Sequence, residues 1–179
     1  MKEFYTGDIR LNTKKNWITT IDSHTEGEVT RLVVDGVGSV PGDAMADKLD
    51  WFKKNHDPVR SLLTKEPRGS KEILAAVVTP KVTPGASFGL IYMDARRYPY
   101  LCGHATNGAV VTLAKTGFLK LDPGENKIGI DTPSGLMEAR VTVDGDRVDS
   151  VAIQMIPSFV YLTGQQVAVE GFGRVPVDI

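Results

Sequence analysis

An apolar, extended stretch ends around Tyr100 to Cys102 and a run with helical spacing follows from Gly103 to Lys115, and the residues on its packing side are small. Ala105, Ala109, Val110, Leu113 and Ala114 form the stripe, and Gly117 is placed to stop the helix. A helix with so little side chain on its packing face has to lie close against a sheet. The rest of the chain supplies strands for it. Lys127 to Asp131, Leu136 to Val143 and Arg147 to Met155 alternate apolar and polar in period two, and Asp144-Gly145 between the last two is a strong hairpin signal. Phe159 to Leu162, Gln166 to Glu170 and Arg174 to Ile179 continue in the same style. Ahead of the helix, Trp17 to Ile21, Val29 to Asp35, Ile73 to Thr79 and Phe88 to Met93 read as strands. The segment Asp22 to Glu28 reads as a polar turn between the first two. Pro41-Gly42-Asp43 opens a helix running to about His56 with Asp43 as its cap, and Asp57-Pro58 starts another short one. The fold class is α+β: mostly antiparallel strands around a central helix.

The chain's single cysteine, Cys102, stands at the head of that helix, in Leu101-Cys102-Gly103-His104-Ala105-Thr106. The first backbone N–H groups of a helix have no partner within it and carry its positive end. A thiol there is expected to be shifted toward thiolate, beside a ready pocket for an anion. The plain alternative is that a lone cysteine fills a core gap. His104 either caps and packs the helix start or takes part in the site, with its backbone N–H the stronger candidate than its ring. His24, Glu26 and Glu28 read as a polar turn, with Asp22 and Thr25 holding its backbone, and are weak evidence for a metal. His56 reads as an exposed helix-end residue, and Trp51-Phe52 as packing.

Composition excludes several function classes. Apolar content of 41%, charged content of 24% and a net charge of −1 over 179 residues describe an ordinary globular domain. Lys53-Lys54 reads as a solvated helix face, and there is no nucleic-acid footprint. One cysteine excludes an internal disulfide and a Cys-rich metal site, which fits a cytoplasmic location. No apolar run approaches the roughly 18 residues that span a membrane, and Met1 to Tyr5 holds no signal-peptide core. Gly36-Val37-Gly38 follows a strand, but Pro41 stands where a dinucleotide fingerprint wants a third glycine.

Four segments together carry a family resemblance: Ile21-Asp22-Ser23-His24-Thr25-Glu26-Gly27-Glu28, Val40-Pro41-Gly42-Asp43-Ala44-Met45, Glu66-Pro67-Arg68-Gly69, and Leu101-Cys102-Gly103-His104-Ala105-Thr106. Their order and spacing, with the strands through Ile156-Pro157-Ser158-Phe159, resemble the amino-terminal half of the proline racemase family from about Trp17 to Ile179. The resemblance implies a diaminopimelate-epimerase-like fold of two similar domains, of which residues 1–179 are the first. It implies cofactor-independent racemisation or epimerisation at the α-carbon of proline or hydroxyproline, with no metal, flavin, pyridoxal phosphate or nicotinamide. Cys102 is then one of two acid/base residues. The backbone N–H groups of Gly103 and His104 bind the substrate carboxylate, and Gly103 lets the backbone approach the ligand without a Cβ in the way.

The family's second catalytic segment, an Asp-x-x-x-Cys or Thr followed by Gly-Thr-Gly, does not occur in these residues. Cys at that place suits racemisation and Thr suits dehydration of trans-3-hydroxyproline, so dehydratase remains an alternative. Ser70 departs from the His that many relatives carry after Arg-Gly. The last residues, Arg174 to Ile179, stop inside a strand-like run. That reads as a chain cut off with partner strands missing, and implies association, as a homodimer or through the truncated face. A third reading is a domain that binds a small carboxylate or a partner without turnover.

Overall fold

The small-residue stripe does what its size requires. In the computed structural model, which describes residues 17–179, the helix α2 (Gly103–Lys115) buries Ala105, Thr106, Gly108, Ala109, Val110, Thr112 and Leu113. It packs against β1 (Thr19–Thr25), β2 (Glu28–Asp35), β3 (Leu74–Thr79) and β7 (Arg147–Gln154). β1 and β7 are the two edges of one seven-stranded sheet, so the sheet curls around the helix. Between them lie β4 (Phe88–Met93), β5 (Gly124–Thr132) and β6 (Gly135–Asp144), and the strands follow chain order across the sheet.

Neighbouring strands are antiparallel except for β2–β3 and β4–β5. A parallel pair needs a crossover. The kinked helix α1 (Met45–Thr64) supplies the first and α2 the second, on opposite faces of the sheet. Strand alternation sorts the core accordingly. Leu32, Ala76, Leu90 and Tyr92 face α2, while Val33, Val77, Ile91 and Met93 face α1 with Leu49 and Phe52. Each such aliphatic or aromatic burial contributes about 2 kcal/mol.

Several elements differ from the sequence reading. β1 runs through His24 to Thr25, and the turn is only Glu26-Gly27, with φ of 50° and 95°. Both residues take the positive φ that suits a two-residue hairpin. The first N-cap is Ala44 rather than Asp43; its N–H is held by the Asp47 carboxylate at 3.1 Å. The break in α1 at His56 (φ −130°, ψ 16°), by contrast, agrees with the reading of one helix to about His56 and another from Asp57-Pro58. His56 itself is half-buried, its ring edge-on to Trp51 and Phe52 at 5.0 and 5.4 Å. Lys53 is less solvated than its neighbour, lying 5.9 and 5.6 Å from the rings of Tyr98 and Tyr100. Phe159 to Leu162 is irregular rather than a strand.

The last strands, β8 (Gln165–Val169) and β9 (Gly173–Val177), form a separate antiparallel pair. The final strand is therefore hydrogen-bonded along one edge, and Ile179 exchanges backbone bonds with Leu162. Phe159 and Phe172 beside this hairpin are 82% and 81% exposed. Among the described residues no helix is long and apolar enough to cross a membrane, and no cluster of three His, Cys, Asp or Glu is placed to hold a metal ion. The Met1 to Tyr5 reading lies outside the described residues.

Candidate active site at the head of α2

The loop that delivers Cys102 to α2 is tied down from both sides. Arg60 on α1 gives hydrogen bonds to the carbonyls of Asp94 and Ala95 (3.2 and 2.9 Å) while its guanidinium pairs with Asp57 at 2.7 Å. Tyr98 gives its hydroxyl to the same Asp57 carboxylate at 2.9 Å. Asp94 accepts the N–H groups of Arg96 and Arg97. Cys102 then takes extended φ/ψ (−156°, 118°) as the N-cap, and the helix begins at Gly103.

The Cys102 carbonyl receives two donors from Thr106: its N–H at 3.1 Å and its hydroxyl at 2.6 Å. Thr106 Oγ1 in turn lies 2.7 Å from the Tyr92 hydroxyl. Cys102 Sγ is 3.3 Å from His104 Nδ1. That contact serves both protonation states, because S–H can donate to Nδ1 and Nδ1–H can donate to a thiolate. Thr25 on β1 donates its hydroxyl to the His104 carbonyl at 3.1 Å, which locks the first helical turn to the sheet edge.

The head itself is open. No acidic residue stands in the first turn of α2, and no side chain makes a capping bond there. A Cβ built on Gly103 would meet nothing within 4 Å. The packing of this chain does not demand glycine at that position, so the space beside its N–H is left for something else.

The electrostatic balance at Cys102 differs from the sequence expectation. The thiol pKa is raised, chiefly by burial, with the Glu28 carboxylate adding to the effect. The backbone N–H groups of Ala105 and His104 pull it down but do not prevail. Desolvation penalises the thiolate more than the helix head favours it. The result is a protonated thiol whose conjugate base is stronger than that of free cysteine.

The motifs divide. Cys102, Gly103, His104, Thr25 and Glu28 converge on the α2 face of the sheet. His24 does not: it is exposed on the other face of β1, and its Nδ1 accepts the Gly27 N–H at 3.3 Å. Glu26 sits at the turn tip. Asp22 forms a two-pronged pair with Arg31 at 2.9 and 2.8 Å, and Arg31 also holds the carbonyls of Leu63 and Arg68. The Glu66-to-Gly69 segment is thus a backbone clamp, and a Cβ at Gly69 would strike the Leu63 carbonyl oxygen at 2.5 Å. Ser70 follows that clamp, its carbonyl accepting the Ile73 N–H at 3.2 Å.

Sequence reasoning missed Ser23, Thr30 and Asn107. Ser23 Oγ, Thr30 Oγ1, His104 Nε2 and Asn107 Oδ1 are buried without a hydrogen-bond partner among the described residues, and Ser23 and Thr30 of the β1–β2 hairpin lie against α2 at Gly108. The period-two face shared by Ser23, Thr25, Glu28 and Thr30 was the available signal, hidden by assigning Asp22 to Glu28 to a turn.

A cavity of about 400 Å³ lies at the head of α1, lined among others by Asp43, Met45, Val82, Asp131 and Leu136. Asp131 is buried and accepts the N–H groups of Val82 and Thr83 at 2.7 and 2.9 Å. Its carboxylates make it unsuited to an anion.

The sequence profile described as proline racemase matches residues 20–179. The chain is 36% identical over 157 residues to proline racemase from Acetoanaerobium sticklandii, covering 88% of this chain and 47% of that protein. It is 33% identical over 162 residues to trans-3-hydroxy-L-proline dehydratase from Azospirillum brasilense, covering 90% and 48%. A crystal structure of hydroxyproline epimerase from Agrobacterium vitis, with bound trans-4-hydroxy-L-proline, superposes with a TM-score of 0.83 at 27% identity, over 92% of this chain and 49% of the other. The chain thus spans about half the length of the relatives it matches. With the α+β fold and four ordered motifs in agreement, it belongs to the proline racemase family.

Proposed function

We propose that this chain is the Cys102-bearing half of a cofactor-independent racemase or epimerase acting at the α-carbon of proline or a hydroxyproline. The observation that carries the reading is the pairing of an uncapped, acid-free helix head with a thiol as its N-cap residue. A carboxylate docks on the N–H groups of Gly103 and His104, where the positive helix end stabilises the charge that builds on it as the α-proton leaves. Cys102 thiolate takes that proton and becomes a thiol. His104 Nδ1, at 3.3 Å, holds the sulfur in either state. The raised thiol pKa suits proton abstraction from carbon. The α-proton is a very weak acid, and a stronger base transfers it more readily, although a smaller fraction of the thiol is then ionised.

Inversion needs a second group to return a proton to the opposite face. The chain holds no second cysteine. The second base therefore belongs to a partner half, in keeping with relatives about twice as long as the matched segment. If that residue is Thr, the reaction is dehydration of trans-3-hydroxyproline, as in the Azospirillum relative's name. Association is expected through the exposed apolar residues of the β8–β9 hairpin. The single cysteine keeps a cytoplasmic location the preferred reading.

The test is deuterium exchange at Cα of L-proline and the hydroxyprolines in D₂O. Slow exchange without inversion is expected from this chain, falling about 10²–10⁴-fold in Cys102→Ser. Exchange that survives Cys102→Ser would remove the acid/base role.

A further inference from the structure

The hydroxyl chain behind Cys102 has a fixed direction. A carbonyl oxygen only accepts, so the 2.6 Å bond to the Cys102 oxygen uses the one hydroxyl proton of Thr106. The 2.7 Å bond between Thr106 and Tyr92 must then be donated by Tyr92. The order is Tyr92 O–H to Thr106 O–H to Cys102 C=O. That carbonyl belongs to the same planar peptide as the Gly103 N–H, and resonance couples its two ends. Donors at the oxygen draw electron density away from the nitrogen, and each member of such a chain strengthens the next in a low-dielectric interior.

The geometry points to Tyr92 and Thr106 as positioning residues that polarise the Cys102–Gly103 peptide, making the Gly103 N–H a stronger donor to a carboxylate at the head of α2. The inference rests on the anion-site reading above and deepens it. Three further observations fit. Tyr92 and Thr106 are both fully buried, on the α2 face of the core, where Phe and Val would fill similar volume without a hydroxyl. Burial holds the Tyr92 phenol far above its usual range, so it stays a donor at every working pH. The His104 carbonyl takes a single hydroxyl, from Thr25 at 3.1 Å, against the shorter 2.6 Å bond and two-hydroxyl relay at the Cys102 carbonyl, and among the described residues no hydroxyl donates to the Gly103 carbonyl, so the effect is greatest at the Gly103 N–H.

The test compares amide spectra of ¹⁵N-labelled wild-type chain, Tyr92→Phe, Thr106→Ser and Thr106→Val without ligand. The Gly103 amide proton is expected to move upfield in Tyr92→Phe and further in Thr106→Val, to stay near wild type in Thr106→Ser, and to move more than those of His104 and Ala105. An unmoved Gly103 signal in Tyr92→Phe, or equal movement of all three amides, would overturn the inference. Should Thr106→Val not fold, Tyr92→Phe against Thr106→Ser decides it. In parallel, protection of Cys102 from iodoacetamide is measured with pyrrole-2-carboxylate and with neutral pyrrole-2-carboxamide. The Gly103-shifted variants are expected to lose several-fold in protection by the acid and little by the amide. If wild type is not protected while its Gly103 signal still responds to the variants, the peptide polarisation stands and the anion-site reading falls.

Discussion

The two helices of this domain begin in opposite ways. At α1, Asp47 in the first turn binds the Ala44 N–H, and the adjoining cavity carries Asp43 and Asp131. That head is neutralised by the chain's own carboxylates. At α2 there is no acid in the first turn, no capping bond, and a glycine facing open space. The same backbone dipole is used for folding in one place and left free in the other. The free one carries the only thiol. An acid-free helix head, beside buried polar atoms that lack a hydrogen-bond partner among the described residues, is where the proposed carboxylate would dock.

The sharpest break of this contrast lies within α2 itself, between its packed body and its open head. A Cβ at Gly108 would come within 3.1 Å of both Ser23 Oγ and Thr30 Oγ1, and Thr30 is fully buried. Gly108→Val is expected to cost about 3 kcal/mol by overpacking this seam. Gly103→Ala, with nothing to collide with, should change stability by less than about 1 kcal/mol, in the stabilising direction. Urea unfolding of the two variants checks the pair; equal losses would mean the head is as tightly packed as the body.

Next in size is the exchange of the two heads' chemistry. Gly103→Asp gives α2 the carboxylate that α1 already has. Stability should stay level or rise by up to about 1 kcal/mol, while protection of Cys102 by pyrrole-2-carboxylate falls about tenfold, as like charges now meet at the N–H groups. Asp47→Ala should do the reverse: a loss of about 1 kcal/mol in stability with protection at Cys102 unchanged. A Gly103→Asp chain that still binds the anion would place the ligand elsewhere.

The contrast also shows what a sequence can disclose. The bounds of α2 were legible to the residue, because a small-residue stripe and the following Gly117 are local signals. The thiol at its head was legible for the same reason. The direction of its pKa was not. Residue type and position on a helix announce the dipole, but burial of Cys102 depends on β1 and β2, which arrive from some seventy to eighty residues upstream. The β1 extension was hidden because Ser23, His24 and Thr25 look like a loop; their polarity serves a polar seam against α2. Tyr92 and Thr106 are fourteen residues apart, and neither periodicity nor motif pairs them before the crossover brings β4 under the helix.

Titration sharpens the comparison next. With the thiol raised by burial, alkylation of Cys102 at pH 7 should be slower than that of free cysteine and should keep climbing past the usual thiol midpoint of about 8.5. The folded state prefers the protonated thiol more than the unfolded chain does. Its contribution to stability is therefore complete below the unfolded thiol's pKa and declines as pH rises from there through the folded value. Cys102→Ser should flatten that decline between about pH 8 and 10. A wild-type chain as stable at pH 9.5 as at pH 7, relative to the variant, would show that the helix head outweighs burial after all.

The smallest effect concerns Glu28. Its register opposite Thr25 places it on the α2 face, and its carboxylate adds to the pKa rise at Cys102. It is also exposed, so water screens much of that interaction. Glu28→Gln removes the charge and keeps the shape. The Cys102 alkylation rate at fixed neutral pH should rise by less than about threefold, and the gain should shrink in 1 M salt, where the screening length falls to about 3 Å. Asp22→Asn is the control: its carboxylate is already paired with Arg31, and it should leave the rate unchanged. A salt-insensitive acceleration would mean that Glu28 acts through the β1–β2 backbone rather than through its charge. The openness of the α2 head would then depend on the shape of that hairpin as well as on the missing acid in its first turn.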